Sequence, residues 1–133
     1  MCVFCKIING DIPSYKIYED ENVFAFLDIN PVTYGHTLVI PKKHVENIFE
    51  LDSVTTNSLF VGVTNVAKLL KEKLKTDNLN LINNNGPLAY QSVFHYHVHL
   101  IPRYENDSFS INFKPMEITK DKLNQIHQTL TKQ

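Results

Sequence analysis

The 133-residue chain is 43% hydrophobic and 20% charged with a formal net charge of −1, the composition of one soluble globular domain long enough to bury its own core. Thirteen Lys and Arg interspersed with fourteen Asp and Glu leave no polybasic surface for nucleic acid or an anionic membrane, and no apolar run approaches the roughly 18 residues of a membrane span. The first ten residues lack both an unbroken apolar stretch and a small-residue cleavage site, so the expectation is a cytoplasmic protein without a secretory leader.

The two cysteines, Cys2 and Cys5, open the chain. A disulfide across so small a loop stabilises little, and a thioredoxin-like redox pair belongs after a strand that is missing here. Zinc suits the spacing better, provided two further ligands exist. Val3 to Ile8 reads as a helical turn ended by Asn9-Gly10, and Asp11 to Ser14 as a turn into the first strand. Tyr15–Glu19 and Asn22–Asp28 read as a hairpin around Asp20-Glu21. Pro31 and Gly35 mark a loop, after which His36 to Ile40 forms a strand stopped by Pro41.

From Asp52, a helix N-cap by its type, to Lys75, the residues Leu59, Val63, Val66, Ala67, Leu70 and Leu74 recur at helical spacing. Leu79 to Asn83 is the next strand, Asn84-Asn85-Gly86-Pro87 a turn, and Thr119 starts a C-terminal helix with Leu123, Ile126 and Leu130 on one side. Strands clustered around one long helix predict an α+β fold on an antiparallel sheet of about five strands, and no glycine-rich phosphate loop follows any strand. The stretch His95-Tyr96-His97-Val98-His99-Leu100-Ile101 carries most of the chemistry. As an extended segment it places three imidazoles on one side and Tyr96, Val98 and Leu100 on the other, which makes a titrating, nucleophilic, metal-competent surface near neutral pH.

Taken in order, several separate segments resemble the histidine-triad (HIT) superfamily. They are Gly35-His36-Thr37-Leu38-Val39-Ile40-Pro41-Lys42-Lys43-His44, Asn84-Asn85-Gly86, and Gln91-Ser92-Val93-Phe94 leading into the histidine run. The resemblance extends from about Cys2 to Arg103, within a single HIT domain of residues 1–133 whose segment 105–133 is divergent. It implies an α+β HIT-like fold and a homodimeric nucleotide-binding hydrolase or nucleotidyl transferase, acting on purine nucleoside phosphoramidates or dinucleoside polyphosphates.

By that resemblance His97 is the nucleophile that forms a nucleotidyl-histidine, chemistry open to a neutral imidazole, and His99 contacts a phosphate oxygen or helps protonate the leaving group. Asn84, Gln91 and Ser92 match positions that contact phosphate or leaving group, and each can donate a hydrogen bond without adding charge. Asp28 matches a ribose-binding acid, and Phe4, Ile7 and Phe26 match positions lining the base pocket. His44 and His95 match the ligands that join Cys2 and Cys5 around one structural zinc per chain in CxxC-bearing bacterial-type members, and no organic cofactor is implied. Tyr90 departs from the pattern, standing where many relatives have glycine. His36 either supports a triad imidazole by hydrogen bonding or is a satisfied core residue, and His127 faces solvent. Two other functional classes compete: a zinc hydrolase whose triad histidines hold a catalytic metal, and a nucleotide-binding module with incidental activity.

Overall fold

Phe-, Val- and Ile-rich runs occupy the centre of a five-stranded antiparallel sheet in the computed structural model, which describes residues 2–132. The elements are α1 (Val3–Ile8), β1 (Lys16–Glu19), β2 (Val23–Leu27), β3 (Thr37–Pro41), α2 (Ser53–Leu74), β4 (Leu79–Ile82), β5 (Val98–Pro102) and α3 (Lys120–Thr131). The strand order is β1-β2-β3-β5-β4, so β3 and β5 lie inside the sheet while β1 and β4 form its edges. Every pairing is antiparallel.

Period-two alternation divides the sheet into two apolar faces. Val23, Ala25, Val39, Val98 and Leu100 pack on one side against Leu59, Val63, Val66 and Leu70 of α2. Gly62 is the point of closest approach: a Cβ there would stand 2.7 Å from Val23, so only glycine lets α2 settle on β2. Phe24, Phe26, Leu38 and Ile40 point to the other side, where Phe4 of α1 covers them. In the β3–β5 ladder His99 lies opposite Leu38, which places the histidine side of β5 on this second face, away from α2.

The long helix follows its sequence signals. Asp52 accepts the Thr55 N–H as N-cap, and Lys75 ends the helix in the left-handed conformation. Thr119 caps α3 by accepting the Lys122 N–H. Among the described residues, no helix is long and apolar enough to cross a membrane.

Two differences from the sequence expectation matter for the site. The predicted histidine strand begins only at Val98, because residues 95–97 spend their polar backbone groups elsewhere. The Tyr96 N–H donates to the Val45 carbonyl at 2.6 Å, and the Asn83 side chain donates to the His97 carbonyl at 2.9 Å. The alternation survives: Tyr96, Val98 and Leu100 still enter the α2-side core. Pro41, read as a strand stop, is instead the last residue of β3, at the end of the ladder, where a missing N–H is tolerated.

The 3-10 turn Pro87–Ala89 ends at Tyr90 with φ +68°. A non-glycine residue in that region costs about 1–2 kcal/mol, partly offset by the greater unfolded-state freedom glycine would bring. The Tyr90 ring is 86% exposed, so little packing is lost with it. Tyr90→Gly is therefore expected to raise stability by about 0.5–1 kcal/mol in urea unfolding, and a destabilised variant would contradict the strain.

Candidate active site and metal centre

Four segments converge on the second face: α1, the residues just after β2 and β3, and the 91–99 stretch. Four of the histidines have their tautomers set by their surroundings, His97 protonated on Nδ1 and His95, His36 and His99 on Nε2, each proton placed from hydrogen-bond partners.

His95 is fully buried, and its Nε2 lies 2.8 Å from the Pro41 carbonyl, which can only accept. Nε2 therefore carries the proton, and Nδ1 presents a bare lone pair. That lone pair faces Cys2 Sγ at 3.4 Å, Cys5 Sγ at 3.6 Å and His44 Nδ1 at 3.1 Å. The remaining distances among the four atoms are 3.1 Å between the sulfurs, 3.6 Å from Cys2 to His44 and 3.4 Å from Cys5 to His44. A tetrahedron with metal–sulfur bonds of about 2.3 Å and metal–nitrogen bonds of about 2.0 Å has edges of roughly 3.3–3.8 Å. The five edges that involve nitrogen lie within about 0.2 Å of the values for their atom pairs, while the sulfur–sulfur edge of 3.1 Å is shorter than the ~3.8 Å of a bound pair. Two thiols and two imidazoles so arranged fit one tetrahedral divalent metal of borderline softness. Burial raises the Cys5 thiol, helped by its hydrogen bond to Cys2.

His97 is also buried, and its Nδ1 lies 2.7 Å from the His95 carbonyl, so Nδ1–H donates and Nε2 is left bare. Desolvation lowers its basicity, with the His95 carbonyl and Asp28 working the other way. The Phe4 ring stands edge-on to the imidazole at 5.2 Å between centroids. The His99 tautomer is set from further off. His36 accepts the Val32 N–H on Nδ1 at 3.1 Å, so its proton sits on Nε2, 2.9 Å from His99 Nδ1. His99 must accept there and so carries its own proton on Nε2. Burial, reinforced by neighbouring His97 and His36, lowers the His99 pKa to about 4, and burial likewise lowers His36. At neutral pH the site thus holds an unprotonated nitrogen on His97 beside an N–H donor on His99, their rings 5.1 Å apart.

The remaining predicted residues fall into three groups. Phe4 and Phe26 are buried in ring contact at 5.5 Å, and half-buried Ile7 packs on the same cluster, so the three line the same side as His97. Asp28 is half-buried; Oδ1 accepts the Asn30 N–H at 2.8 Å, while Oδ2 stands 3.6 Å from His36 Nε2. Gln91 is buried, with Nε2 donating to the Glu46 and Val93 carbonyls and Oε1 accepting from the Gly86 N–H, so its side chain clasps the 86–91 loop. Ser92 is exposed beside it and Asn84 half-buried.

Asn83 and Asn85 were not singled out by sequence. Asn83 holds the His97 carbonyl, and Asn85 donates to Asn83 while accepting the Ile48 N–H. An asparagine run reads as a turn, and nothing in its spacing distinguishes a residue that braces the backbone at His97. His127 is exposed on α3. Asp28, His36 and His99 also come close enough to hold a cation. The His36 tautomer opposes it: with Nδ1 committed to Val32, the Nε2 that would ligate is occupied by hydrogen.

The HIT domain profile matches residues 9–106. Adenosine 5'-monophosphoramidase HNT1 of Saccharomyces cerevisiae is 40% identical over 131 residues, covering 97% of this chain and 80% of its own. A crystal structure from Streptococcus mutans UA159 superposes with a TM-score of 0.93 at 50% identity, covering 98% of this chain and 83% of the other. A zinc-bound histidine triad family protein from Mycobacterium smegmatis superposes with a TM-score of 0.77 at 41% identity, covering 86% and 84%.

Proposed function

Since this chain belongs to the HIT domain family, we propose that it is a nucleotide hydrolase or nucleotidyl transferase working on the α-phosphate of purine nucleoside phosphoramidates or dinucleoside polyphosphates. The observation that carries the reading is the tautomer of His97, whose Nδ1–H is tied to the His95 carbonyl and whose Nε2 lone pair is free. Nε2 attacks the α-phosphorus, the bond to the leaving nitrogen or oxygen breaks, and a nucleotidyl-histidine results. Water then attacks the same phosphorus and releases the nucleoside monophosphate and the free imidazole.

His99 supports this as a neutral donor. Its Nε2–H suits the charge growing on a phosphate oxygen, whereas outright release of that proton would leave an imidazolate, since its Nδ1 only accepts from His36. That favours phosphate contact over protonation of the leaving group. Phe4, Ile7 and Phe26 supply an apolar slot for the base, and Asp28 Oδ2 an acceptor for ribose hydroxyls. Asn84 and Ser92 contact phosphate or leaving group. Gln91 acts chiefly by shaping the loop, although Oε1 keeps accepting capacity. The yeast phosphoramidase supports this substrate class. Rapid quenching of a single turnover with radiolabelled adenosine phosphoramidate, followed by peptide mapping, is expected to find adenylyl on His97. Label on any other residue would overturn the assignment.

The same reading gives Cys2, Cys5, His44 and His95 one structural zinc per chain, supported by the five fitting edge distances and by the zinc-bound mycobacterial relative. Bound there, the metal supplies a crosslink between α1, the post-β3 loop and the catalytic stretch, and takes no part in catalysis. Two free thiols suit a cytoplasmic setting, where they stay reduced.

The assembly we propose is a homodimer. Leu123, Ile126 and Leu130 of α3 are exposed, as are Phe113 and Met116 of the preceding arm, and β4 is an open edge. An arm so free of its own core nonetheless falls within the 98% of the chain that superposes on the streptococcal structure, which a partner chain explains. Light scattering is expected to give twice the 15.4 kDa chain mass at micromolar concentration. A monomer at every concentration would count against it.

A further inference from the structure

The metal centre stands on a pair of sulfurs that chemistry can remove. We propose that Cys2 and Cys5 are a reversible oxidation site that takes a hydroperoxide as co-reactant, and that closing them to a disulfide expels the metal and loosens both the base pocket and His97. The inference rests on the zinc reading given above.

The two sulfurs lie 3.1 Å apart in the first turn of α1, three residues from each other and so on one helix face. Both are half-buried and the neighbouring His44 is exposed, so a small peroxide can reach them. Metal-bound thiolate is the nucleophile. One sulfur attacks a peroxide oxygen, the O–O bond breaks, and that cysteine becomes a sulfenic acid while the departing oxygen takes a proton to leave as water. The second thiolate then attacks the sulfenic sulfur, the S–O bond breaks, and hydroxide leaves and is protonated to a second water. Two thiolates are oxidised by two electrons to one disulfide, hydrogen peroxide is reduced to two waters, and two protons come from solvent. No electrons pass to or from zinc(II), and the disulfide would leave only two neutral imidazoles, those of His44 and His95, to hold it.

The consequence follows from what the four ligands join. Helix α1 is six residues long and fully buries only Phe4, with Ile7 and Ile8 half-buried on the same cluster, so the metal would add a further tie to the body. Phe4 is the residue that stands 5.2 Å from the His97 ring and 5.9 Å from His95. His95 holds the metal through Nδ1 and orients His97 through its carbonyl. Losing the metal therefore releases the lid of the base pocket and one support of the nucleophile's tautomer together.

The full-length chain, reduced and zinc-loaded, is treated with one equivalent of hydrogen peroxide and followed by intact mass, a chromogenic zinc chelator and calorimetric titration with AMP. The expected result is a loss of about 2 Da with a Cys2–Cys5 crosslink in peptide mapping, close to one zinc released per chain, and AMP binding weakened at least about threefold. Dithiothreitol with added zinc is expected to reverse all three. A mass gain from sulfinic acid on separate cysteines, zinc retained after oxidation, or AMP affinity unchanged once the disulfide has formed would each overturn the proposal. The mass and zinc readouts decide the oxidation even where the reduced protein binds no AMP, a result that would sink the nucleotide reading instead.

Discussion

Replacing His97 by asparagine is expected to abolish turnover of adenosine phosphoramidate, by about 10³- to 10⁶-fold in kcat, while leaving the fold, the zinc content and AMP binding close to wild type. The size follows from the role. A nucleophile has no substitute in its own covalent step, and what survives its removal is only the rate that positioning and phosphate contacts supply to direct attack by water. The limited collateral damage follows from the geometry. His97 makes one side-chain hydrogen bond, to the His95 carbonyl at 2.7 Å, and asparagine is short and polar enough to reach for the same acceptor. The proposed metal would be held by Nδ1 of His95 and not by the carbonyl that His97 uses. Multiple-turnover kinetics, metal analysis and AMP calorimetry on one preparation check the three parts. Residual kcat within tenfold of wild type would mean that another group attacks phosphorus, and loss of AMP binding with an intact fold would move His97 from chemistry to recognition.

The contrast with His36 sharpens this. His36 lies on a different strand entry and touches no proposed reacting atom, yet the Val32 N–H on its Nδ1 dictates the proton on its Nε2 and hence the acceptor role of His99 Nδ1. On the proposed reading it positions the phosphate donor, and its 2.9 Å contact with His99 supports that side of the two sequence readings.

How much of this was legible before the structure depends on the range of the interaction. Local signals served well: the apolar period from Leu59 to Leu74 with Asp52 before it marks α2, and Thr119 ahead of Leu123, Ile126 and Leu130 marks α3 to within a residue at its start. Alternation along the histidine run sorted the side chains correctly, because a buried face enforces it even where residues 95–97 leave the ladder. The strand boundary was misread because the Val45 carbonyl and the Asn83 amide, which take the backbone partners of Tyr96 and His97, come from 51 and 14 residues away. Tautomers were wholly invisible. They depend on partners that only the folded backbone orients: the Pro41 carbonyl for His95, the His95 carbonyl for His97, the Val32 N–H for His36 and His36 itself for His99. Family resemblance named His44 and His95 beside the cysteines; the six converging distances supply the physical reason.

His95→Ala is the second large effect, and it falls on stability where His97→Asn falls on rate. His95 is wholly buried and, on the proposed reading, has two obligations: Nε2–H to the Pro41 carbonyl and Nδ1 to the metal. Truncation leaves an imidazole-sized cavity, strands the buried Pro41 carbonyl and removes one of four ligands. The first two together are expected to cost about 3–5 kcal/mol. Loss of the metal adds a further term, because anything bound only by the folded state contributes its binding free energy to folding. Since α2 and the sheet form a core independent of the metal, the protein is expected to remain folded at low temperature with a much lower melting point and well under one zinc per chain. Wild type stripped by a strong chelator under reducing conditions should show the metal part of that loss alone, without the cavity part. His95→Cys adds the decisive comparison: a third thiolate ligand at this position is expected to regain zinc while the hydrogen bond to Pro41 stays broken, so metal content recovers further than melting temperature. Should chelation leave the melting temperature of wild type unchanged, the four-residue cluster would not be a structural metal centre, and the stability of α1 and of the His97 support would have to come from Phe4 and its packing alone.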